Sequence, residues 1–277
     1  MRIPRTTLLS LSRGREFLKL EKLQATWNNL GRIDPMWAVL SDPTKLGHKW
    51  SEDEFFATGR QEVGTLMQSL EARLPLAQRR RALDFGCGLG RLVRAFAAYF
   101  DEVVGIDISP SMIEQAGKLN ADIANCSWVL NGEDDLRVFP DDHFDLTHTD
   151  IVLQHMNPAF AKRYIAEFVR ITAPGGTIVF QLPDVRPTSL VKRFRFAVAP
   201  FLPLIPKAIL RPYLRKHYPN APDDILVQLP DTFMEMHGER KDKVVAMMER
   251  LGAPVQFVDE EPGEGWVTYR YFARKRA

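Results

Sequence analysis

Ala82-Leu83-Asp84-Phe85-Gly86-Cys87-Gly88-Leu89-Gly90-Arg91, followed by Val103-Val104-Gly105-Ile106-Asp107-Ile108, decides the fold. It reads as a buried strand, a glycine turn, a helix over about 91–100, and a second buried strand closing on an acid. That is half of a nucleotide-binding βαβ unit. The dinucleotide fingerprint G-x-G-x-x-G would need its third glycine at position 91, where arginine stands. Here the glycines are Gly86, Gly88 and Gly90, and Asp84 precedes them by two residues. Glycine at these positions lets a ligand lie against the main chain, where a Cβ would block it. The helix that follows turns its N-terminus towards that ligand and favours a negative group there.

Downstream, strand and helix patterns alternate, which means a parallel sheet with helices on both faces and right-handed crossovers. Strands are expected at 81–85, 103–108, 127–131, 144–149 and 176–182. Two more, 254–260 and 266–273, flank Pro262-Gly263-Glu264-Gly265 and must pair antiparallel across so short a turn. A helix over 241–251, stopped by Gly252, precedes them.

Four segments in order carry a family resemblance: the glycine turn with Asp84 and Asp107; Phe144-Asp145-Leu146-Thr147-His148-Thr149-Asp150; Val152-Leu153-Gln154-His155-Met156; and Ile171-Thr172-Ala173-Pro174-Gly175-Gly176-Thr177-Ile178-Val179-Phe180. Together they resemble the class I, Rossmann-like, S-adenosylmethionine-dependent methyltransferases over about residues 80–182 plus the C-terminal hairpin. The fold implied is α/β: a seven-stranded, mostly parallel, doubly wound sheet with an antiparallel C-terminal hairpin, a helical N-terminal extension and a helical lid insertion. The implied domains are an extension over 1–78, a cofactor-binding unit over 79–182 and 239–277, and a basic, proline-rich lid over 183–238.

The resemblance also implies roles. S-adenosyl-L-methionine would be the cofactor, with Asp84 on its ammonium, Gly86, Gly88 and Gly90 against its backbone-facing side, and Asp107 on both ribose hydroxyls. Ile108 would press on adenine, Glu133 or Asp134 would approach the adenine amine, and Thr149 closes the fourth strand beside the sulfonium. No metal is expected.

Hydrophobic residues make up 45% of the 277 and charged residues 26%, with a net charge of +2, so charge alone does not mark a polyanion binder. The two cysteines, Cys87 and Cys126, fit reduced packing residues, and neither C-x-x-C nor H-E-x-x-H occurs. No apolar run reaches signal-peptide or membrane-span length, and the chain reads as cytoplasmic. Residues 1–80 look mainly helical. One helix is expected from Thr7 to Leu30, ending at Gly31, and residues 1–32 hold seven basic residues and two acids. Ser51 and Glu54 form a capping-box pattern for a helix to about Leu74. Arg186 to Tyr218 holds eight Lys or Arg and no acid. Three readings stay open for it: a lid with a solvated basic face, a surface for an anionic substrate, or an interfacial membrane contact.

Methyl transfer to a hydroxyl gains from a base that takes the proton as the bond forms, and histidine suits that task near neutral pH. His155, just beyond strand four at the carboxyl edge of the sheet, is the first candidate, and His237 is the second. A site built from His148, Asp150 and His155 for a divalent ion is a further arrangement. The reading is an O-methyltransferase acting on a small-molecule or glycan-type hydroxyl. RNA, a lipid-linked acceptor, an NAD-dependent oxidoreductase and a non-catalytic nucleotide-binding module are the alternatives. The Asn/Asp-Pro-Pro-Tyr/Phe tetrapeptide of amino-methylating DNA enzymes is replaced by Thr149-Asp150-Ile151-Val152. The sequence does not specify an oligomeric state.

Overall fold

The computed structural model describes residues 20–187, 205–229, 236–262 and 266–277. Seven strands form one sheet in the order β3-β2-β1-β4-β5-β7-β6. They are β1 (Arg81–Phe85), β2 (Glu102–Asp107), β3 (Cys126–Leu130), β4 (Phe144–Thr149), β5 (Thr172–Pro187), β6 (Val255–Pro262) and β7 (Trp266–Arg274). The first five pair in parallel, and β7 lies antiparallel between β5 and β6. Strand order reverses at β1 and β4, and in open α/β sheets ligands bind outside the carboxyl ends at such a point.

The helices are α1 (20–33), α2 (Pro35–Val39), α3 (Glu52–Arg73), α4 (Arg91–Phe96), α5 (Pro110–Leu119), α6 (Pro158–Ile171), α7 (Lys207–His217), α8 (Asp223–Gln228) and α9 (Lys241–Arg250). Both faces of the sheet are covered. Phe85, Phe144, Phe168, Phe180 and Tyr271 fill one side, while Leu70, Val93, Phe96, Val103 and Phe272 fill the other. A third apolar cluster joins Leu30, Trp37 and Phe55 to Ile225 and Leu226, so α7 and α8 pack on the N-terminal helices.

Several boundaries differ from the sequence reading. The helix expected to stop at Gly31 runs on to residue 33. Gly31 serves close packing instead, since a Cβ there would meet Ser111 Oγ at 2.5 Å. Its expected first half lies outside the described residues, as do the N-terminal arginines and most of the apolar stretch before α7. Residues 35–39 form a short helix capped by Asp34, whose buried carboxylate accepts N–H bonds from Trp37, Gly47 and His48. The capping box at Ser51 and Glu54 forms as expected. The helix after the glycine turn ends at Phe96 rather than near Phe100, because Asn125 Nδ2 donates to the carbonyls of Ala97 and Phe100 and caps the chain there. β5 starts at Thr172, four residues early: Thr172 pairs with Phe144 before the Pro-Gly-Gly segment bulges, and Thr177 resumes opposite Leu146. Among the described residues no helix is long and apolar enough to cross a membrane.

Candidate active site

Backbone chemistry shapes the turn after β1. Gly86 and Cys87 both donate N–H bonds to Ile106 O, which ties the turn to the end of β2. Gly88 has φ +52°, and a Cβ there would lie 2.7 Å from Val39 Cγ2, so only glycine leaves the cradle open. Asp107 closes β2 and aims into this cradle. Its Oδ2 accepts from Gly88 N at 2.9 Å and its Oδ1 from Ser109 N at 2.8 Å. Burial pushes the Asp107 carboxyl up, against the pull of the Ser109 and Gly88 N–H groups. Ser109 then caps α5 with Pro110 at its first position.

The cradle opens into a cavity of about 520 Å³, within the usual range for small-molecule sites. Asp84, Gly86, Gly88, Asp107 and Ile108 line it, and so does His155. Its far wall comes from the N-terminal helices and the insertion: Leu20, Leu23, Trp27, Val39, Tyr218 and Met236. Gln24 Nε2 donates to Ile108 O at 3.0 Å and Asn28 accepts from Ser111 N at 3.0 Å, fastening α1 over the β2 end of the cavity.

Four of the expected cofactor contacts lie off this wall. Gly90 has φ +79° and caps α4; a Cβ there would overlap the Trp128 ring, so the missing side chain makes room for Trp128. Thr149 turns back into the sheet and donates from Oγ1 to Phe85 O at 2.8 Å. Asp134 pairs with Arg163, and Glu133 offers its carbonyl to the Tyr164 hydroxyl. The cavity-facing residue of that loop is Asn131.

The two candidate bases separate. His155 sits in a single 3-10 turn, Leu153–His155, is 9% exposed, and meets Trp27 edge-on with centroids 5.6 Å apart. Gln154 Nε2 lies 3.4 Å from His155 Nε2. His237 lines a separate, much smaller cavity with Leu153 and Glu239, and its N–H donates to Gln154 O at 2.8 Å. His148 does not join Asp150 and His155. Its Nδ1 is 2.9 Å from Asp84 Oδ1, with both side chains buried, and its ring packs edge-on against Phe96. Among the described residues no three metal-ligating side chains converge. Burial and the nearby Asp107 and Asp84 carboxylates push the Cys87 thiol up, so it stays a neutral packing group.

One feature of the wall escaped the sequence reading. Asp150, immediately after β4, lines the cavity and pairs with Arg270 of β7, while Arg91 of α4 pairs with Glu62 of α3. Ile151 beside it has φ +56°, a conformation that costs a β-branched residue about 1–3 kcal/mol. Its N–H is held by Gln181 Oε1 at 3.2 Å. Glu62 lies on the buried stripe of α3 between Gly59 and Leu66, and an acid at that helical spacing is the signal that marks it.

This geometry accords with comparisons to known proteins. Residues 82–176 match the methyltransferase-domain family. The chain is similar to trans-aconitate 2-methyltransferase of Methylobacterium radiotolerans, 35% identical over 48% of this chain and 50% of that protein. It is similar to demethylmenaquinone methyltransferase of Tropheryma whipplei, 30% identical over 61% of this chain and 64% of that protein. The chain thus spans between half and two thirds of the length of these relatives. Its fold matches that of phosphoethanolamine N-methyltransferase 1 of Haemonchus contortus with a TM-score of 0.62, covering 94% of this chain and 50% of the other at 14% identity, a likeness of fold alone. The domain match runs from β1 into β5, so residues 82–176 form a methyltransferase domain, and the seven-stranded order around it is the Rossmann-like fold of the class I S-adenosylmethionine-dependent methyltransferases.

Proposed function

We propose that the protein binds S-adenosyl-L-methionine in the 520 Å³ cavity and transfers its methyl group to the hydroxyl of a small acceptor. The observation that carries this reading is that the Asp107 cradle and His155 open onto one chamber. Donor site and proton acceptor therefore share a space that α1 and Tyr218 shield from water.

The residues fit the cofactor. Asp107 offers a carboxylate for a pair of vicinal hydroxyls, and Gly88 leaves the room a Cβ would fill. Asp84, oriented by His148, presents a buried carboxylate for an ammonium group. The bound cofactor supplies an electrophilic methyl on a sulfonium. The chain's own task is to align an acceptor oxygen with that methyl and to exclude water. His155, which lines the same cavity, takes the hydroxyl proton in this reading as the new bond forms, a contribution of about 10²–10⁴ in rate for a positioned base. Leu23, Trp27 and Met156 give the chamber apolar walls, which suits a compact acceptor with apolar surface better than a long polar chain.

Calorimetric titration with S-adenosylmethionine tests the first half of the proposal. A screen of hydroxylated acceptors with labelled methyl donor tests the second. Absence of binding by donor and demethylated product alike refutes the reading. One observation favours a lipid-linked acceptor as a second reading: Ile209 and Tyr213 stand exposed on α7, a helix carrying Lys207, Arg211, Arg215 and Lys216. Sedimentation with anionic vesicles decides it, and protein left in the supernatant removes it.

A further inference from the structure

A partly buried chain of alternating charge runs beside the cavity wall beyond β4. Arg91 Nη1 lies 2.7 Å from Glu62 Oε2, and Arg270 Nη2 lies 3.1 Å from Asp150 Oδ2. Arg270 Nε also faces Glu261 Oε1 at 2.5 Å. The side chains of Arg91 and Asp150 are each 6% exposed. One oxygen of each central carboxyl is thus held by a guanidinium. The others, Glu62 Oε1 and Asp150 Oδ1, are buried with no N–H or O–H donor in contact. Arg91 and Asp150 line the same cavity, and Glu62 lines the neighbouring groove with Arg270, so the two carboxyls belong to one cluster. Ionised carboxylates only accept, so two buried oxygens without a donor in one cluster are satisfied by a proton held on one of the carboxyls.

The direction of titration agrees. Burial, and then the facing Glu62 carboxyl, push Asp150 up to about 7 against the pull of Arg270. Burial also acts to raise Glu62, but the Arg91 guanidinium outweighs it and the net direction is down. The proton therefore rests on Asp150. The charged groups facing the pair are Arg91 of α4, Arg270 of β7, Glu261 of β6 and His148 of β4, the last already tied to Asp84 of β1.

Position supplies the ligand. Asp107 ends β2 and Asp150 follows β4, with β1 between them, so the two acids mark points about 10 Å apart along the sheet edge. Asp107, Ile108, Asn131 and Asp150 all line the cavity, so a methyl donor held by its ribose at Asp107 would have Asp150 within reach of its sulfur end. Only Asp150 of the pair lines the cavity; Glu62 acts through it.

We propose that Glu62 and Asp150 form a one-proton carboxyl pair that reads the charge at sulfur, releasing its proton when the cationic methyl donor enters and keeping it when the neutral demethylated product occupies the cavity. The inference rests on the methyl-donor reading of the site. Its consequence is selectivity: above the titration of the pair an anionic wall favours donor over product. A one-unit drop in the pair's pKa on donor binding corresponds to tenfold coupling.

The test is calorimetry of the full chain with S-adenosylmethionine and, separately, S-adenosylhomocysteine, between about pH 5.5 and 8.5, in buffers of different ionisation enthalpy. The donor should release a fraction of a proton near pH 6–7 and gain about tenfold in affinity over the product across that range. The product should release none. Asp150→Asn should abolish both effects. Glu62→Gln removes the negative neighbour and should move the release window to lower pH, which keeps the test decisive if Asp150→Asn fails to fold. Equal release by both ligands, no release by the donor, or release unchanged in Asp150→Asn overturns the proposal. If neither ligand binds, the methyl-donor reading fails. Infrared titration then judges the carboxyl pair by itself: a protonated carboxyl lost near neutral pH in the wild type and absent in Asp150→Asn supports it, and its absence from the wild type refutes it.

Discussion

Asp107→Asn separates ligand recognition from fold stability more cleanly than any other single change in the cavity. The carboxylate accepts Gly88 N–H and Ser109 N–H on different oxygens at 2.9 and 2.8 Å. An amide keeps one acceptor and sets an NH2 group against the other N–H whichever way it turns. An unsatisfied buried donor costs about 1–3 kcal/mol. Against this, burial holds the Asp107 pKa above its ordinary value, so its charge is itself unfavourable in the empty fold at neutral pH, and the neutral amide removes that burden. The two effects oppose, and the unliganded protein should melt within a few degrees of the wild type. Binding has no such offset. Two ribose hydroxyls lose a charged acceptor, at about 1.5–3 kcal/mol each, and regain at most one neutral bond. The net loss of about 2–4 kcal/mol is roughly thirtyfold to nearly a thousandfold in Kd. Calorimetric titration beside a thermal melt reads both quantities. A Kd changed less than about threefold (under ~0.7 kcal/mol), with the fold intact, would show that Asp107 does not hold the ribose.

Gly88→Ala should abolish donor binding, because the new Cβ meets Val39 Cγ2 and fills the cradle; calorimetry checks it. His155→Ala should leave donor affinity within about threefold while lowering turnover by about 10²–10⁴, once an acceptor is in hand, and equal losses in both would refute its role as a base. Asp34→Ala strips the acceptor from three N–H groups beside the cavity and should cost about 2–4 kcal/mol in denaturant unfolding. For Asp150 the folded-state pKa of about 7 lies above the ordinary 3.8, so this group stabilises the fold fully below pH 3.8 and loses that contribution as pH rises through 7. The melting temperature of Asp150→Asn relative to wild type should therefore rise between pH 5 and pH 8.5. A flat difference would place the pKa elsewhere.

The glycine turn, Asp107, the alternating elements and the terminal hairpin were legible along the chain, because each is written in residues close together. Gly86, Gly88 and Gly90 all adopt positive φ, and Asp107 returns to Gly88 across the β1–β2 register that hydrophobic patterning already implies. Spacing could not say which glycine faces a ligand. Gly88 opens the cradle while Gly90 accommodates Trp128, a difference that depends on Val39 and Trp128 arriving from distant elements. Glu133 and Asp134 stood in the right loop, yet Arg163 and Tyr164 of α6 engage that loop and leave Asn131 towards the cavity.

Local pattern by itself determined the sheet, its switch point and the acid that closes β2, since strand periodicity and turn chemistry act over a few residues. Only the tertiary structure decided who shares the chamber. His155 meets Trp27 of α1, His237 is directed to another cavity, and Glu62, Arg91, Asp150 and Arg270 come together from α3, α4, the β4 edge and β7. Those contacts join residues far apart in the chain, and burial, which turns Asp150 from an ordinary surface acid into a proton-holding one, exists only once the helices have closed over the sheet.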